Sequence, residues 1–505
     1  MLLPYLSAVK SPTKKYSVMF RGINYGEGTQ DGEFAETYNL STDQYPCITQ
    51  RAERIRSKEY QNPTTLHAKG GLLVIDGTKV LYKDVEKGTV TEGRKQTATI
   101  GNYIVIFPDK VYYNVETDEF GSMEETYEAT GLVFTDSTIT TTGGDFPFKE
   151  GDGIKISGCS NNANNKSIIV REASNKVLTF YENSFTEGKE SGKVTIKREV
   201  PDLEFICESN YRLWGTKGNT IYSSKFSDPL NFNVYDGLSS DSYYIDVGSD
   251  GPFTGCIPYS SHICFFKENT LHKLYGTKPS NFQVTTVNVY GVQSGCERSM
   301  QIVNEQLLYK GVGGVYAYTG GVPELLSEKF GNKRFSDAVA CCDGEKYYIS
   351  MKQGENWSLF TYDVMKNIWL REDETQAVDM TFFAGKVFFL DADGALYYID
   401  KTADRSNIEW GATFCTINET MNERKGYSKF HLRMDMDKGA WLAVDVKTDN
   451  EPQWKQVYTT HNSKAKTVSI PIMPTRCDSV DIRLRGKGKC TIKTFIREFT
   501  VGSDV

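Results

Sequence analysis

The sequence predicts an all-β protein: a six- or seven-bladed β-propeller with an inserted small β-barrel and a C-terminal β-sandwich. Three observations lead to this prediction. The 505 residues include 44 glycines, 30 tyrosines and 27 phenylalanines, a composition that favours many short strands joined by tight turns. A two-strand pattern recurs seven times along the chain. The stretches before, between and after these repeats have a different residue composition and pattern, which indicates separate modules.

Length and charge limit the possible functions. A chain of 505 residues is too long for one hydrophobic core, and an apolar content of 39 % is too high for a disordered chain. The net charge of -7 argues against an outer surface that binds nucleic acid, although it leaves room for contact with DNA in a local channel. No apolar run approaches the length of a membrane span, and the N-terminal residues do not resemble a secretory signal.

Residues 1–65 are rich in polar turns and contain few clear strands. We therefore expect an extended arm with one or two strands, which closes the propeller or reaches a neighbouring subunit. Strand addition to a neighbour is one way in which such an arm binds.

The propeller is predicted in two parts, residues 66–124 and 200–404. Each recurring segment is an apolar-aromatic run, a turn and a second run, which is the pattern of a β-hairpin. The later turns are separated by roughly 40 to 50 residues, the period of four-stranded propeller blades. The predicted turn centres are Gly77, Asp109, Gly218, Asn269, Gly313, Gly354 and Asp393.

Two further modules account for the rest of the chain. Residues 125–199 alternate Thr, Ser and Asn with Val, Ile and Phe, which predicts a small β-barrel inserted in a blade loop. Residues 405–505 lack the hairpin pattern and carry long alternating strands, which predicts a β-sandwich.

The candidate chemical groups form no recognisable catalytic pattern, so we expect no enzyme and no cofactor. The spacing of the 11 cysteines shows no pattern of paired ligands, which favours the interpretation that they are buried free thiols. His262 and His272 could share a metal, but two partly exposed histidines are the simpler interpretation. The acidic groups Asp241, Asp246, Asp250, Asp391 and Asp393 fit turn capping better than calcium binding or glycosidase chemistry.

Aromatic and basic residues give two further candidates. Four tryptophans could stack on sugars, although they suit blade cores better: Trp214, Trp357, Trp369 and Trp410. Four lysines in blade loops are speculative channel-facing or DNA-facing residues, and solvated surface charge is the alternative interpretation: Lys217, Lys225, Lys267 and Lys278.

Several phrases of the sequence resemble one group of viral proteins. Residues 205–276 contain RLWG, SDPLNF and FFKENTLHKLYG, residues 32–54 contain NLSTDQYPCITQR, and residues 474–505 contain DSVDIRLRGKGK followed by REFTVGS. These phrases resemble the stabilisation and tail hub, or nozzle, proteins of tailed phages. The insert, with FKEGDGIKISG, is similar to small β-modules of phage tail proteins. The match is carried by Arg212, Leu213, Trp214, Gly215, Ser227, Asp228, Pro229, Asn231, Phe232, Gly255, Phe266, Lys267 and Glu268.

The resemblance implies a structural protein of the virion tail, made in the bacterial host cytoplasm. Such a protein forms a cyclic homo-oligomer, expected to be a hexamer, below the portal and adaptor. It extends the DNA channel at the head-tail connection, helps to retain packaged DNA before ejection and docks fibres or spikes. Its implied partners are copies of itself, the adaptor or portal-side protein, fibre or spike proteins, and DNA in the lumen, without membrane insertion. A tail protein that binds host-surface glycans is the alternative, and a virion glycan hydrolase is a third possibility.

Overall fold

The computed structural model describes residues 11–26, 29–415, 424–449, 451–464, 466–473 and 476–501. The fold of these residues is all-β, with no α-helix among them and no helix long and apolar enough to cross a membrane. The chain divides into two compact units, one of residues 60–300 and one of residues 1–59 with 301–505. Within these ranges four short 3-10 helices occur, at Asn162–Asn164, Pro279–Asn281, Glu297–Ser299 and Glu328–Phe330.

Seven four-stranded antiparallel sheets, which we name meanders 1 to 7, are the repeating element of the fold. All seven predicted hairpins are confirmed, and each forms the two central strands of a meander. A two-residue hairpin turn of one common type requires a positive φ at its first central residue, and Gly77 and Gly218 hold that position with φ values of 61° and 58°.

The unit of residues 60–300 contains meanders 1 to 4. Their strands, in sheet order, are Pro63–Ala68, Leu72–Asp76, Lys79–Tyr82 and Val85–Thr89 in meander 1; Gln96–Ile100, Tyr103–Phe107, Val111–Asn114 and Glu119–Ser122 in meander 2; Phe205–Ser209, Arg212–Lys217, Thr220–Ser223 and Tyr243–Asp246 in meander 3; and Gly255–Tyr259, His262–Phe266, Thr270–Tyr275 and Gln283–Asn288 in meander 4.

Successive meanders of this unit pack against each other through shared apolar cores. Meanders 1 and 2 bury Ile75 and Ile104 together, and meanders 2 and 3 bury Phe107 and Leu213. The segment after meander 4 returns to the first two meanders, because the Arg298 guanidinium donates hydrogen bonds to the carbonyls of Thr64 (3.2 Å) and Lys95 (2.7 Å).

The insert predicted at residues 125–199 has its own core, in which Phe134, Ile154 and Val194 are buried. Its strands form two open sheets and not the closed sheet of the predicted barrel, because the edge strands of each sheet pair on one side only. The two sheets, in strand order, are Glu125–Thr130, Lys193–Arg198, Gly153–Ser157 and Ser167–Ile169; and Glu172–Ala173, Val177–Thr179, Thr138–Thr140, Val133–Phe134 and Gly188–Lys189.

The other unit contains meanders 5 to 7. Their strands are Gln301–Val303, Gln306–Gly311, Gly314–Tyr318 and Glu324–Leu325 in meander 5; Ser336–Cys342, Lys346–Gln353, Asn356–Asp363 and Ile368–Asp373 in meander 6; and Ala377–Phe383, Lys386–Asp391, Ala395–Ile399 and Arg54–Glu59 in meander 7. The last strand of meander 7 therefore comes from the N-terminal residues.

The C-terminal residues of this unit, with one N-terminal strand in each sheet, form two five-stranded sheets with one shared core, which buries Phe414, Phe430 and Leu484. One sheet contains Thr13–Ser17, Cys490–Val501, Lys425–Met436, Thr467–Pro471 and Arg476–Cys477. The other contains Glu36–Tyr38, Glu409–Cys415, Val480–Lys487, Trp441–Thr448 and Lys455–Thr460.

The N-terminal residues contain more strands than the one or two that were predicted for the arm. Thr13–Ser17, Glu36–Tyr38 and Arg54–Glu59 each add a strand to a sheet formed by residues after 376. Shorter pairs join Gly22–Ile23 to Glu33–Phe34 and Leu40–Ser41 to Thr49–Gln50. Residues 1–10 of the predicted arm, and residues 474–475 and 502–505 of the C-terminal motif, lie outside the described residues.

Candidate interaction surface

Several of the residues that carry the family resemblance lie in or beneath one long loop of meander 3, among them Arg212, Asp228 and Asn231. This loop, residues 224–242, joins the third strand to the outer strand Tyr243–Asp246. Arg212 is fully buried beneath it, and its guanidinium donates hydrogen bonds to the carbonyls of Ser224 (2.8 Å), Ser239 (2.7 Å) and Asp241 (2.5 Å). Burial lowers the pKa of Arg212, and the nearby Asp241 opposes that shift. One side chain thus holds both ends of the loop.

Two aspartates fix the turns inside this loop. The Asp241 carboxylate accepts the backbone N–H groups of Asp236 (2.5 Å) and Leu238 (3.0 Å). Asp228 accepts the backbone N–H of Leu230 (3.0 Å) and the side-chain amide of Asn231 (2.6 Å). The turn-capping interpretation of Asp241 is therefore confirmed.

The SDPLNF phrase also attaches the insert to meander 3. The Asn231 amide oxygen accepts the N–H of Gly153 (3.0 Å), and its nitrogen donates to Asp152 (2.9 Å). Asp152 in turn forms a buried salt bridge with Arg198 at 3.0 Å. Loss of any one of these side chains would leave a buried charge or amide without a hydrogen-bond partner. These contacts therefore fix how the insert is attached to meander 3.

Loop 224–242 and the strands beside it expose an unusual number of large apolar side chains. We name the set Tyr211, Phe226, Tyr235, Leu238 and Tyr244 the aromatic surface. Their exposed fractions lie between 45 % for Phe226 and 64 % for Tyr211. Tyr211 packs on Phe226 with ring centroids 5.7 Å apart, and Tyr235 on Tyr244 at 5.8 Å. Exposed aromatic clusters of this kind are typical of protein–protein contacts.

A groove of about 530 Å³ adjoins three of the five members of the aromatic surface. Tyr235, Leu238 and Tyr244 line one part of it, and Lys278 and Pro279 of meander 4 line another. The outer strand Tyr243–Asp246 has no strand partner on its free side, so backbone donors and acceptors lie beside the groove. A binding partner would therefore meet exposed apolar side chains, the Lys278 amine and the free edge of the strand Tyr243–Asp246.

The four predicted lysines do not form one basic surface. Lys278 lines the groove, whereas Lys217 pairs with Asp202 at 2.8 Å and Lys225 donates to the carbonyl of Gly151 at 3.1 Å. The prediction that Lys267 faces a channel, DNA or solvent is wrong. The residue is 1 % exposed, so it cannot present its charge to solvent or DNA in this fold. Its amine donates to Asn219 (2.8 Å) and to the carbonyl of Ser249 (2.7 Å), and burial lowers its pKa.

The other candidate groups lie apart from this surface. His272 is buried and not partly exposed as predicted, and burial lowers its pKa to about 4. Trp214, Trp369 and Trp410 are buried in cores as predicted, whereas Trp357 is half-buried. All ten cysteines whose side chains are described are free, and eight are buried. The described residues contain no group of three or more His, Cys, Asp or Glu with metal-site geometry.

Sequence reasoning missed the aromatic surface. Its members are scattered among the phrases YRLW, SKFSDP, NVYDGL and DSYYID, where a single aromatic residue reads as core. The signal available was the length of loop 224–242, since long ordered loops are disproportionately functional.

Comparisons with known proteins add little. No family model matches the chain, and no curated protein matches it. Solved structures with weak likeness include BamB from Moraxella catarrhalis, at 10 % identity and a TM-score of 0.35 over 69 % of this chain and 97 % of that chain. Another is an exo-β-1,3-galactanase from Phanerochaete chrysosporium, at 9 % identity and a TM-score of 0.23 over 57 % of this chain and 92 % of that chain. Likenesses at these scores carry no argument about function.

Proposed function

We propose that this protein is a structural subunit of a phage tail, a hub or nozzle protein that assembles into a closed ring below the portal and adaptor. The proposal combines the resemblance of residues 205–276 to such proteins with the aromatic surface that the same residues build. In this role the ring extends the DNA channel, helps to retain packaged DNA and docks fibres or spikes. Its place of action is the tail of the virion.

The body of this subunit is proposed to be a seven-bladed β-propeller, with meanders 1 to 7 as its blades and the C-terminal sheets as a β-sandwich. The strand order supports this arrangement, because meanders 1 to 6 each pair four consecutive strands in chain order. The strand Arg54–Glu59 supports it further. This strand completes meander 7, and only three residues separate it from Pro63–Ala68, the first strand of meander 1. Radial repetition of this kind leaves only short sheet edges.

The aromatic surface is the observation that carries the proposal of a ring. Tyrosine and phenylalanine are enriched at the centres of protein interfaces, where their loss is most costly. The hydrogen bonds of Arg212 fix the loop before any partner binds, which lowers the entropic cost of association. In a cyclic ring each subunit uses two different surfaces, so this surface meets another part of the neighbouring copy.

Substitution of Phe226 tests the proposal. We expect the full chain at micromolar concentration to elute with six times the chain mass by size-exclusion chromatography with light scattering, and as a ring by negative-stain electron microscopy. Phe226→Ser should shift the complex toward monomers, because loss of an interface anchor costs about 2 kcal/mol or more per contact.

Phe382→Ser is the matched control, since Phe382 is 46 % exposed and Phe226 45 % exposed. The control variant should keep the ring. A wild-type chain that stays monomeric alone and within assembled particles would end the proposal, and dissociation by both variants equally would remove the role of the aromatic surface.

The second candidate function is recognition of host-surface glycans by the same tail protein. A pocket beside meander 6 favours this function, because Trp357 and several polar side chains line it.

A further inference from the structure

A polar pocket with an aromatic wall lies in the unit of residues 1–59 and 301–505, beside meander 6. Its volume is about 590 Å³, within the range of small-molecule sites. Its apolar base contains Phe335 and Phe360, whose ring centroids are 5.5 Å apart. Trp357 lines the pocket as a half-buried side chain, whereas Trp214, Trp369 and Trp410 are buried in cores.

Arg371 organises the polar side of the pocket. Its guanidinium donates to Ser358 (3.1 Å) and Glu374 (3.2 Å) and lies 3.7 Å from the Glu36 carboxylate. The positive charge is therefore already balanced by two carboxylates. Both carboxylates keep free acceptor capacity, because Glu36 is 44 % and Glu374 79 % exposed in its side chain.

Amide side chains lie at the rim. Gln353 and Asn356 face each other across the hairpin turn of meander 6, and Gln376 follows its last strand. Within the described part of the chain, the side-chain amides of Gln353 and Gln376 have no hydrogen-bond partner, so both can bind a ligand. Each amide offers two donors and one acceptor oxygen.

We propose that this pocket binds a neutral oligosaccharide. A sugar ring has an apolar C–H face that packs on an aromatic ring such as Trp357, and hydroxyl groups around its edge that pair with amides and carboxylates. The Lys333 amine lies over the Tyr25 ring at 3.2 Å, and Arg371 is paired with two carboxylates. Both cations of the pocket are thus engaged, which favours a neutral sugar over an anionic one. This inference is independent of ring formation.

Saturation-transfer NMR and tryptophan fluorescence of the full chain test the inference. The probes are maltotriose, cellotriose, mannotriose and N,N′,N″-triacetylchitotriose, with sialyllactose as the anionic comparison. We expect at least one neutral trisaccharide to bind saturably and to change the fluorescence of Trp357, and we expect Trp357→Ala to weaken that binding at least tenfold.

Trp454→Ala is the matched control, because Trp454 is also half-buried and stacks under Arg483 (4.5 Å) outside the pocket. It should change the affinity less than twofold. Gln376→Ala, at an exposed position, should weaken binding without altering the thermal melting curve, and it keeps the test valid if Trp357→Ala unfolds the protein. No saturable binding of any neutral trisaccharide up to 10 mM, binding only of sialyllactose, or equal loss in Trp357→Ala and Trp454→Ala would each overturn the inference.

Discussion

Burial determines the protonation of His272. The ring is 1 % exposed, and its two nitrogens lie 2.8 Å from the hydroxyls of Ser249 and Thr286. A hydroxyl can donate or accept, so one hydroxyl serves the N–H of the neutral ring and the other its bare nitrogen. Burial, together with the charge of Lys267, lowers the pKa of His272 to about 4. The neutral ring is therefore the form that the fold stabilises.

The stability of the protein should fall as acid protonates this group. The folded pKa of about 4 lies below the unfolded value of about 6.5, so the contribution of His272 is complete above pH 6.5 and is lost as the pH falls toward 4. Between pH 7 and 4.5 we expect the free energy of unfolding of wild type to drop by about 2–3 kcal/mol more than that of His272→Gln. Urea unfolding at the two pH values measures this difference, and equal drops in the two proteins would contradict it.

Gly153 occupies a position where the surrounding backbone leaves no room for a side chain. A Cβ at this position would lie 2.4 Å from the carbonyl oxygen of Asn233, a backbone atom that cannot rotate away. We expect Gly153→Ala to reduce the free energy of unfolding by about 1–3 kcal/mol, as overpacking does, in thermal and urea denaturation. Gly144→Ala is the control, since a Cβ there meets nothing within 4 Å, and it should change stability by less than about 0.5 kcal/mol.

The sequence predicts the chemistry of a residue better than its position. Lys267 sits in FFKE at the end of an apolar strand, where its charge indicated exposure. The long side chain instead reaches Asn219 and Ser249, which belong to distant stretches of sequence. A local sequence pattern cannot show which residues from other segments will become hydrogen-bond partners. The aromatic surface escaped prediction for the same reason, since the pairs Tyr211–Phe226 and Tyr235–Tyr244 each join residues from different segments.

At the scale of elements, local signals were sufficient for the hairpins and insufficient for long-range pairing. Each central pair of strands is joined by a short turn, so residue type and spacing locate it. The outer strand Tyr243–Asp246 follows a 19-residue loop, and Thr13–Ser17 pairs with Cys490–Val501 from the far end of the chain. Pairings of this kind depend on the assembled sheet and not on the segment itself.

The N-terminal strand of meander 7 is held by charge as well as by sheet pairing. Arg54 donates to Glu372 at 2.7 Å and lies 2.8 Å from Asp373, and its side chain is 8 % exposed. Burial lowers the pKa of Arg54, whereas the two carboxylates raise it, and the net direction is upward. Glu372 is itself buried and also accepts the Thr361 hydroxyl at 2.6 Å.

Removal of this guanidinium should be costly. We expect Arg54→Met to reduce the free energy of unfolding by about 3–5 kcal/mol, because it leaves buried carboxylates with less compensation. Arg56→Met on the same strand is the control, since Arg56 is 54 % exposed and pairs with the exposed Glu59, and it should cost less than about 1 kcal/mol. Denaturant titration compares them, and similar losses for the two variants would contradict the assigned role.

For the whole molecule, the sequence predicted an all-β chain with seven repeated hairpins, an insert and a C-terminal module. It predicted one or two strands in the N-terminal arm, but not that three would pair with strands formed by residues after 376. The net charge of -7 and the separate surroundings of Lys217, Lys225, Lys267 and Lys278 fit a protein whose surface is not generally basic. The two proposed binding surfaces lie in different units, so their variants can be studied separately.

The strand Arg54–Glu59 has a consequence for synthesis on the ribosome. Its partner strand begins at Ala395, about 340 residues later in the chain. At a translation rate of roughly 5–20 residues per second, this strand emerges on the order of 15–60 s before its partner exists. Meanders 1 to 6 can fold during that interval, but meander 7 stays incomplete until its third strand, Ala395–Ile399, has been synthesised.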